Sequence, residues 1–386
     1  MSSFDIKALL TEMVRWDASD LHIKVGNPPA LRVHGILKDM NLPVVTSEHV
    51  DEASRTLLDE EQYNLLESKK EIDFAFDIER LGRFRTNIFY QRGTKAIAIR
   101  LIPSRIKTTD ELMLPPILQE LALKPRGLFL ITGMTGSGKS TTLAAMVEHI
   151  NLNSRCNIIS VEDPIEFVYA DKKARISQRA VGKDTDSFAN ALRHILRQDP
   201  DVILIGEIRD VATMTVALQA ADTGHLVFST LHTTDSTQTI NRIISFFPLH
   251  QHQEIRLLLA STLLGIVSMR LIPRADIPGR VPACEVMVTT ESIREYIKDP
   301  MKTHLIPTLI KEGYSQYGMR TFDQSLMQMF REGYISYENA LHHSTNPSEF
   351  ALRMKGIKSA SDKSWDEFER SPDDRNGRGS RIDGLD

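Results

Sequence analysis

Cysteine is scarce in this sequence of 386 residues, which contains two, Cys156 and Cys284, far apart along the chain. Neither belongs to a C-x-x-C pair, so a zinc site built from cysteines is excluded and a disulfide framework is not expected. This usage of cysteine is typical of a protein from a reducing compartment.

Long apolar runs are also missing, and the residues after Met1 lack the basic and then apolar pattern of a signal peptide. We therefore expect a cytoplasmic protein that associates with a membrane only through partners. The net charge is −4, so nothing in the overall charge indicates binding to nucleic acid or to an anionic membrane. A nucleic-acid translocase is disfavoured because the sequence has neither a basic stripe nor an aromatic stacking platform.

The first hundred residues alternate between apolar and polar side chains in several short segments, which is typical of antiparallel strands. The predicted strands cover residues 21–25, 30–33, 72–78, 83–90 and 95–102. Helical spacing predicts helices near residues 4–16 and 47–68. Residues 1–102 are therefore predicted to form a small α+β domain.

A proline-containing segment, residues 103–125, is predicted to be a linker with one short helix at 117–123. The pattern then changes to short, nearly all-apolar runs of the kind found in strands buried on both faces of a parallel sheet. These strands are predicted at 128–132, 157–161, 202–205 and 226–231, and helices at 139–151, 187–198 and 211–223. We predict an α/β domain over 126–356, ending in a helical region at 250–356, and a disordered charged tail at 357–386.

Residues 133–140 read Gly-Met-Thr-Gly-Ser-Gly-Lys-Ser, between a predicted strand and a predicted helix. This is a complete phosphate-binding loop in its proper setting, because backbone N–H groups and the helix N-terminus would face the phosphates of ATP. Lys139 should reach the β- and γ-phosphates, and Ser140 should bind Mg²⁺. The predicted nucleotide-binding residues are Gly133, Thr135, Gly136, Ser137, Gly138, Lys139, Ser140 and Thr141.

Acidic residues follow two of the predicted parallel strands, where a sheet would bring them near the γ-phosphate. Glu207 follows the strand at 202–205, after Gly206 in the position where an Asp is usual. Glu162, Asp163 and Glu166 follow the strand at 157–161. Glu207 is the first candidate for the catalytic base, Glu162 and Glu166 are the alternatives, and Asp163 is a candidate ligand of Mg²⁺.

Two histidines flank the strand at 226–231. His232 is a candidate for sensing the γ-phosphate or ordering water, and so is His225, for which a buried structural role is the alternative. Arginines complete the candidate site: Arg193 and Arg197, four residues apart on a predicted helix, and Arg85 and Arg100 on predicted strands of the first domain. The alternative for these arginines is a solvated basic surface.

The order of these segments resembles the secretion ATPase superfamily, which powers type II and type IV secretion and type IV pili. Its Walker A, Asp box, Walker B and His box correspond to residues 133–140, 160–166, 196–210 and 223–232. Residues 18–22, 82–85, 91–93, 292–296 and 319–326 are similar to segments of the twitching-motility retraction ATPases, the PilT and PilU group. The resemblance covers roughly residues 5–356.

The resemblance implies a RecA-like P-loop ATPase core with a smaller, PAS-like N-terminal domain, and ATP between them. It implies a cytoplasmic homohexamer at the inner-membrane base of the pilus, using ATP and Mg²⁺ and working with a platform protein and a paralogous retraction ATPase. By family position, Arg85, Arg100, Arg193 and Arg197 are the arginines of the site. Extra N-terminal domains and a four-cysteine insert, usual in members that extend pili, are missing here, which favours retraction.

The sequence departs from the family pattern in its C-terminal part. Ser292 and Tyr296 replace the usual Ala and Leu of one motif, and the tail contains Trp365 and Phe368 among acidic residues. These departures favour an accessory motor or a specialised paralogue as the alternative to the main retraction motor. A docking subunit that binds ATP but turns over little is a separate alternative, against which the intact Lys139, Glu207 and Arg197 argue.

Overall fold

The computed structural model describes residues 5–355 except residues 34, 80, 103 and 104. It separates into two compact units, Met1–Arg105 and Ile106–Asp386. The prediction of a disordered tail at 357–386 falls outside the described residues. Among the helices described below, none is long and apolar enough to cross a bilayer.

The first unit combines helices with one antiparallel sheet. Its helices are α1 (Ile6–Arg15), α2 (Ser47–Leu57) and α3 (Glu60–Lys69). Its strands are β1 (Asp20–Lys24), β2 (Ala30–Val33), β3 (Ile36–Asp39), β4 (Glu71–Ile78), β5 (Gly82–Gln91) and β6 (Thr94–Ile102). The strand order is β3-β2-β1-β6-β5-β4.

One face of this sheet carries the core of the first unit. On β5, Phe84 and Ile88 are fully buried with apolar residues of all three helices, whereas Arg83 and Arg85 point to the opposite, partly exposed face. The predicted alternation of this strand is therefore confirmed. Strand β3 was not predicted, because its four residues are all exposed and lie at the sheet edge, where no burial pattern marks them.

The second unit is built on a larger sheet. Its strands are β7 (Gly127–Thr132), β8 (Asn157–Glu162), β9 (Arg175–Ala180), β10 (Val202–Ile205), β11 (Leu226–Leu231), β12 (Leu263–Pro273) and β13 (Arg280–Val288). They lie in the order β13-β12-β7-β11-β10-β8-β9, and neighbouring strands are parallel except for the antiparallel pair β12 and β13. The carboxyl ends of β7, β8, β10 and β11 therefore meet at one edge of the sheet.

Helices cover both faces of this sheet. They are α4 (Ile117–Ala122), α5 (Lys139–Asn153), α6 (Phe188–Ile195), α7 (Val211–Asp222), α8 (Ser236–Ser245), α9 (His252–Thr262), α10 (Glu291–Lys298), α11 (Ile306–Glu312), α12 (Tyr314–Tyr317), α13 (Phe322–Arg331), α14 (Tyr337–His343) and α15 (Pro347–Met354). On β7, Leu128 and Leu130 pack into the cluster under α6 to α11, while Phe129 and Ile131 pack into the cluster under α4 and α5. Burial on both faces explains the unbroken apolar runs, and the predicted α/β class is confirmed.

The structure departs from the sequence prediction in two places. The region 250–356 was predicted to be helical, but β12 and β13 lie within it and extend the sheet. Residues 106–125 were assigned to a linker, but they belong to the second unit, where Leu118 and Leu121 are buried in the cluster next to α5. The residues that precede the predicted strand at 128–132 therefore pack within the second unit and do not form a separate linker.

Candidate active site

The phosphate-binding loop joins the carboxyl end of β7 to the start of α5. Gly133 has φ +143°, and a Cβ there would lie 2.5 Å from Ser137 Oγ and 2.7 Å from the Met269 carbonyl oxygen, so glycine is required. Gly138 precedes α5 and supplies no side-chain cap, so the first N–H groups of this helix have no side-chain partner. A helix N-terminus of this kind, next to a loop of closely packed backbone, favours the binding of an anion.

Lys139 is the first residue of α5, and its side chain is almost completely buried. Its Nζ donates hydrogen bonds to the carbonyl oxygens of Gly133, at 2.8 Å, and Met134, at 3.1 Å. Burial lowers the pKa of this amine, while the negative charges of Glu166 and Glu207 act in the opposite direction. The two acidic loops of the prediction are therefore electrostatically coupled to the lysine of the phosphate-binding loop.

The hydroxyl groups of the loop remain available for a ligand. Ser137 Oγ is buried and makes no hydrogen bond within the part of the chain that the structure describes. Ser140 and Thr141 begin α5 and are partly exposed, and Thr135 is exposed at the loop tip. An unpartnered buried hydroxyl next to a helix N-terminus fits a group that brings hydrogen-bond acceptors, such as a phosphate.

Glu207 follows β10 at the same edge of the sheet. One of its carboxylate oxygens lies 3.2 Å from His232 Nε2, and the other forms an ion pair with Arg209. The Glu207 side chain is 15 % exposed, whereas the side chains of His232 and Arg209 are 56 % and 69 % exposed. Glu207 and His232, which were predicted from different segments, are therefore in contact. Arg209, two residues after Glu207, provides a second contact to the same carboxylate.

The second acidic segment holds its residues in different environments. Glu162, the last residue of β8, is buried and accepts hydrogen bonds from Ser160 Oγ at 2.7 Å and Gln178 Nε2 at 3.2 Å. Burial raises the pKa of the Glu162 carboxyl, although these hydrogen bonds oppose the rise. Asp163 and Glu166 are exposed. Gln178 lies on β9, a strand that was not predicted from the sequence. The sequence marks Gln178 only as a polar residue in a segment where apolar and polar residues alternate.

Gly206, which stands where an acidic residue is usual, has a packing reason. A Cβ at this position would lie 3.3 Å from both Glu162 Cα and the Val161 carbonyl oxygen. These are backbone atoms of the neighbouring strand, so a side chain would be accommodated only if β8 and β10 moved apart by a few tenths of an ångström. The substitution of glycine for an acid therefore lets two acidic segments approach each other closely.

Several predicted residues lie away from the phosphate-binding loop. His225 precedes β11 at the amino edge of the sheet, where its backbone carbonyl accepts from Gly127 N and its Nδ1 lies 3.0 Å from the Ala220 carbonyl oxygen. Because β11 spans about 20 Å, His225 cannot contact a phosphate at the loop of the same chain. The geometry favours a structural role for His225, the alternative to a contact with the γ-phosphate.

Arg193 and Arg197 are both exposed, but they do not share a helix. Helix α6 ends at Ile195, so Arg193 lies in its last turn and Arg197 in the turn that follows. The carbonyl of the next residue, Gln198, accepts a hydrogen bond from Asn157 at the amino end of β8. Arg197 therefore lies at the edge of the sheet opposite the loop.

In the first unit, Arg85 and Arg100 face each other directly on β5 and β6. Asp20 lies opposite Arg100 on its other side, and Arg100 Nε donates to Asp20 Oδ1 at 2.8 Å. Arg32 continues the row on β2. Like charges on directly opposed strand residues are unfavourable, so three arginines with one aspartate form a row that favours an anionic ligand.

The described residues contain no group of three or more His, Cys, Asp or Glu side chains arranged to hold a metal ion by themselves. Ser140 and Asp163, the predicted ligands of Mg²⁺, offer hard oxygen donors, which this ion prefers. Mg²⁺ commonly binds through one or two protein oxygens together with phosphates of a substrate. The donor set present fits that mode of binding.

Known proteins resemble this chain over most of its length. A family profile described as type II/IV secretion system protein matches residues 3–342. The type IV pilus retraction ATPase PilT of Pseudomonas aeruginosa is 41% identical over 90% of this chain and 100% of its own length. The type IV pilus ATPase PilU of the same organism is 40% identical over 91% of each chain.

A solved structure also matches. The crystal structure of the pilus retraction motor PilT with bound ADP superposes with a TM-score of 0.82 and 42% sequence identity, covering 89% of this chain and 98% of that one.

Proposed function

The chain belongs to the type II/IV secretion system protein family, and from this we propose that it is a motor ATPase whose hydrolysis of ATP drives retraction of type IV pili. The similarity to PilT along nearly the whole of both chains supports this function. The observation that carries the chemistry is the convergence of Lys139, Glu207 and His232 at one edge of the sheet.

ATP binding begins at the loop 133–138 and the start of α5. The backbone N–H groups there bind the phosphates, and Lys139 exchanges its bonds to the loop carbonyls for bonds to phosphate oxygens. Ser140 would hold Mg²⁺ together with phosphate oxygens, and Asp163 is the second candidate ligand. When bound, this ion neutralises charge on the β- and γ-phosphate oxygens.

Glu207 is the best-supported base for the attacking water. Its carboxylate is held in place by His232 and Arg209 but remains partly accessible, so it can accept a proton while water attacks the γ-phosphorus. Glu162 is buried and already accepts hydrogen bonds from Ser160 and Gln178, which supports a structural role. Glu166 is exposed and contributes negative charge near Lys139.

Arg85 and Arg100 supply positive charge from the first unit. Asp20 pairs with Arg100, but the row of three arginines and one aspartate keeps an excess of positive charge, which the γ-phosphate of ATP would balance. Arginines that stabilise the charge of the transition state are worth roughly 10³–10⁵ in rate. We assign the same task to this pair.

The remaining predicted residues support an assembly. Arg193 and Arg197 are exposed, and Arg197 lies far from the loop of its own chain, so a contribution to nucleotide would require a neighbouring subunit. A homohexameric ring provides such neighbours. We propose that this ring acts on the cytoplasmic side of the inner membrane, bound to the pilus platform protein and not to nucleic acid.

A second candidate is an accessory retraction motor. It is favoured by the nearly equal similarity to PilT and PilU and by Ser292 and Tyr296 in the C-terminal motif. An accessory motor would require a paralogous retraction ATPase for full activity. Steady-state turnover of the purified protein, alone and mixed with its paralogue, separates these candidates.

Two substitutions test the proposed chemistry. Lys139→Ala should weaken nucleotide binding by about tenfold to a hundredfold, because it removes a charge-assisted contact to phosphate. Glu207→Gln should keep nucleotide affinity but lower kcat by about a hundredfold or more, because it removes the base. Binding of a fluorescent ADP analogue and steady-state release of phosphate are measured for both variants.

The exposed Glu254 on α9 provides a control, since Glu254→Gln removes a carboxylate outside the site. If Glu207→Gln retains full turnover, the assignment of the base is wrong. If the unmodified protein releases no phosphate from ATP under any condition, the proposed activity itself is wrong.

A further inference from the structure

A buried glutamate lies outside the residues assigned to the chemistry. Glu285, on β13, is 7 % exposed, and its Oε1 accepts hydrogen bonds from Ser236 N at 2.8 Å and Ser236 Oγ at 2.7 Å. Ser236 is the first residue of α8. A carboxylate there is stabilised by the positive end of the helix, so the side chain of Glu285 ties the start of α8 to the sheet.

This arrangement is costly for the fold. Burial raises the pKa of Glu285 to about 7, against the hydrogen bonds from Ser236, with Asp235 adding to the rise and Arg270 opposing it. An apolar residue on β13 would avoid the desolvation of a carboxylate. The buried carboxylate of Glu285 therefore indicates that the position of the start of α8 matters for function.

The start of α8 is rigidly connected to the segment that precedes it. Thr233 Oγ1 lies 2.7 Å from Thr239 Oγ1, and Thr234 Oγ1 donates to Gln238 Oε1 at 3.0 Å. Asp235 accepts from Gln238 N at 2.8 Å as the N-cap of the helix. The segment between His232 and Ser236 is therefore tied to the first turns of α8 by side-chain hydrogen bonds.

His232 is at the other end of this short segment, and its Nε2 contacts Glu207. Its imidazole is more than half exposed, and among the described residues Glu207 is the hydrogen-bond partner of its side chain. Packing against neighbours therefore does little to hold the ring. The position of the ring depends on the segment 233–236 and on whatever fixes α8.

Strand β13 is held in place by its own contacts and can therefore fix the position of α8. Its residue Val286 exchanges backbone hydrogen bonds with Arg320, and Cys284 N donates to Ser325 Oγ at 3.1 Å. These contacts come from both neighbours of Glu285 in the chain and fix the strand to Arg320 and to α13. The side chain between them is directed to Ser236.

We propose that Glu285 is a positioning residue for catalysis: by capping α8 it holds the segment 232–236 so that His232 reaches Glu207. The inference rests on the proposed ATPase function. It predicts that loss of the cap frees the start of α8, moves His232 away from Glu207, and slows the attack of water while leaving the phosphate-binding loop intact.

A double-mutant cycle tests this proposal on the full-length protein. Glu285→Ala should lower kcat about tenfold, the effect of losing hydrogen bonds to a charged group, with KM for ATP and affinity for the ADP analogue unchanged. In the His232→Ala background, Glu285→Ala should lower kcat no further, because both substitutions remove the same contact. Glu254→Ala, on an exposed face of α9, is the control and should leave kcat unchanged.

Ser236→Ala keeps the backbone bond to Glu285 and serves if Glu285→Ala does not fold. It should lower kcat about threefold, and this loss should also vanish in the His232→Ala background. The proposal is overturned if the Glu285 and Ser236 effects are equal in both backgrounds, if they appear in KM alone, or if His232→Ala leaves kcat unchanged. An inactive unmodified protein would instead contradict the proposed function.

Discussion

At the scale of single residues, the site depends on how closely neighbouring segments approach one another as much as on its chemical groups. Gly133 leaves room for Ser137 and the Met269 carbonyl, and Gly206 leaves room for the end of β8. Glu207 and Lys139 were identifiable from the sequence because their neighbours form recognisable segments. The packing reason for Gly206 could not be identified from the sequence, because it depends on a strand some forty residues earlier in the chain.

Substitution of Gly206 tests this role. Gly206→Ala places a Cβ 3.3 Å from two backbone atoms of β8, so the strands must separate, at a cost of about 1–3 kcal/mol. Glu162 should shift with β8, and turnover should fall together with stability. The midpoint of urea unfolding and kcat measure the two effects; an unchanged midpoint with full turnover would show that the sheet accepts a side chain there.

At the scale of elements, the sequence predicted the four parallel strands β7, β8, β10 and β11, because short apolar runs separated by helical segments are typical of such strands. It did not predict β9, whose residues are exposed or half-buried at the edge of the sheet. Strand β12 follows α9 without an intervening Gly or Pro, so its apolar residues continued the helical pattern. The partners that place Glu162 and His232, Gln178 and Glu285, lie on β9 and β13, and this part of the site therefore could not be predicted.

The arginine pair of β5 and β6 gives a prediction at the same scale. Arg85→Ala and Arg100→Ala should each lower kcat about tenfold or more, the effect of losing at least one charge-assisted contact to the γ-phosphate. Nucleotide affinity should largely persist, because the phosphate-binding loop is unchanged. Steady-state turnover and binding of the ADP analogue distinguish the two effects.

Arg83→Ala is the matched control. Arg83 lies two residues before Arg85 on the same strand and face, and it is paired with Asp77 at 3.0 Å. Removal of such a partly exposed pair costs little, so turnover should be retained. Equal losses in Arg83→Ala and Arg85→Ala would indicate a general effect on the strand and would contradict a specific contact with ATP.

At the scale of the whole molecule, the two units bring different parts to the proposed reaction. The second unit contains the loop for ATP and the acidic residues, and the first contains the arginine pair. Closure of the first unit on ATP, and its release after hydrolysis, would convert phosphate chemistry into displacement around a ring. Movement of this kind requires that each unit keep its own core, as the separate clusters of buried residues allow.

The tail gives a prediction at this scale. Residues 357–386, which lie outside the described part of the chain, have a polar and charged composition that does not support a packed core. Truncation before Ile357 should leave the melting temperature and kcat nearly unchanged. A large loss of either would mean that Trp365 and Phe368 bind to the folded protein.

Retraction itself is tested most directly by deleting the gene in cells that make type IV pili and complementing with the unmodified protein, Lys139→Ala or Glu207→Gln. Pilus number and twitching motility are measured together. We expect the deletion to leave cells with abundant pili that do not twitch, and we expect only the unmodified protein to restore movement. Cells that lose their pili would instead indicate a role in extension, and restored twitching by Glu207→Gln would contradict a motor driven by this site.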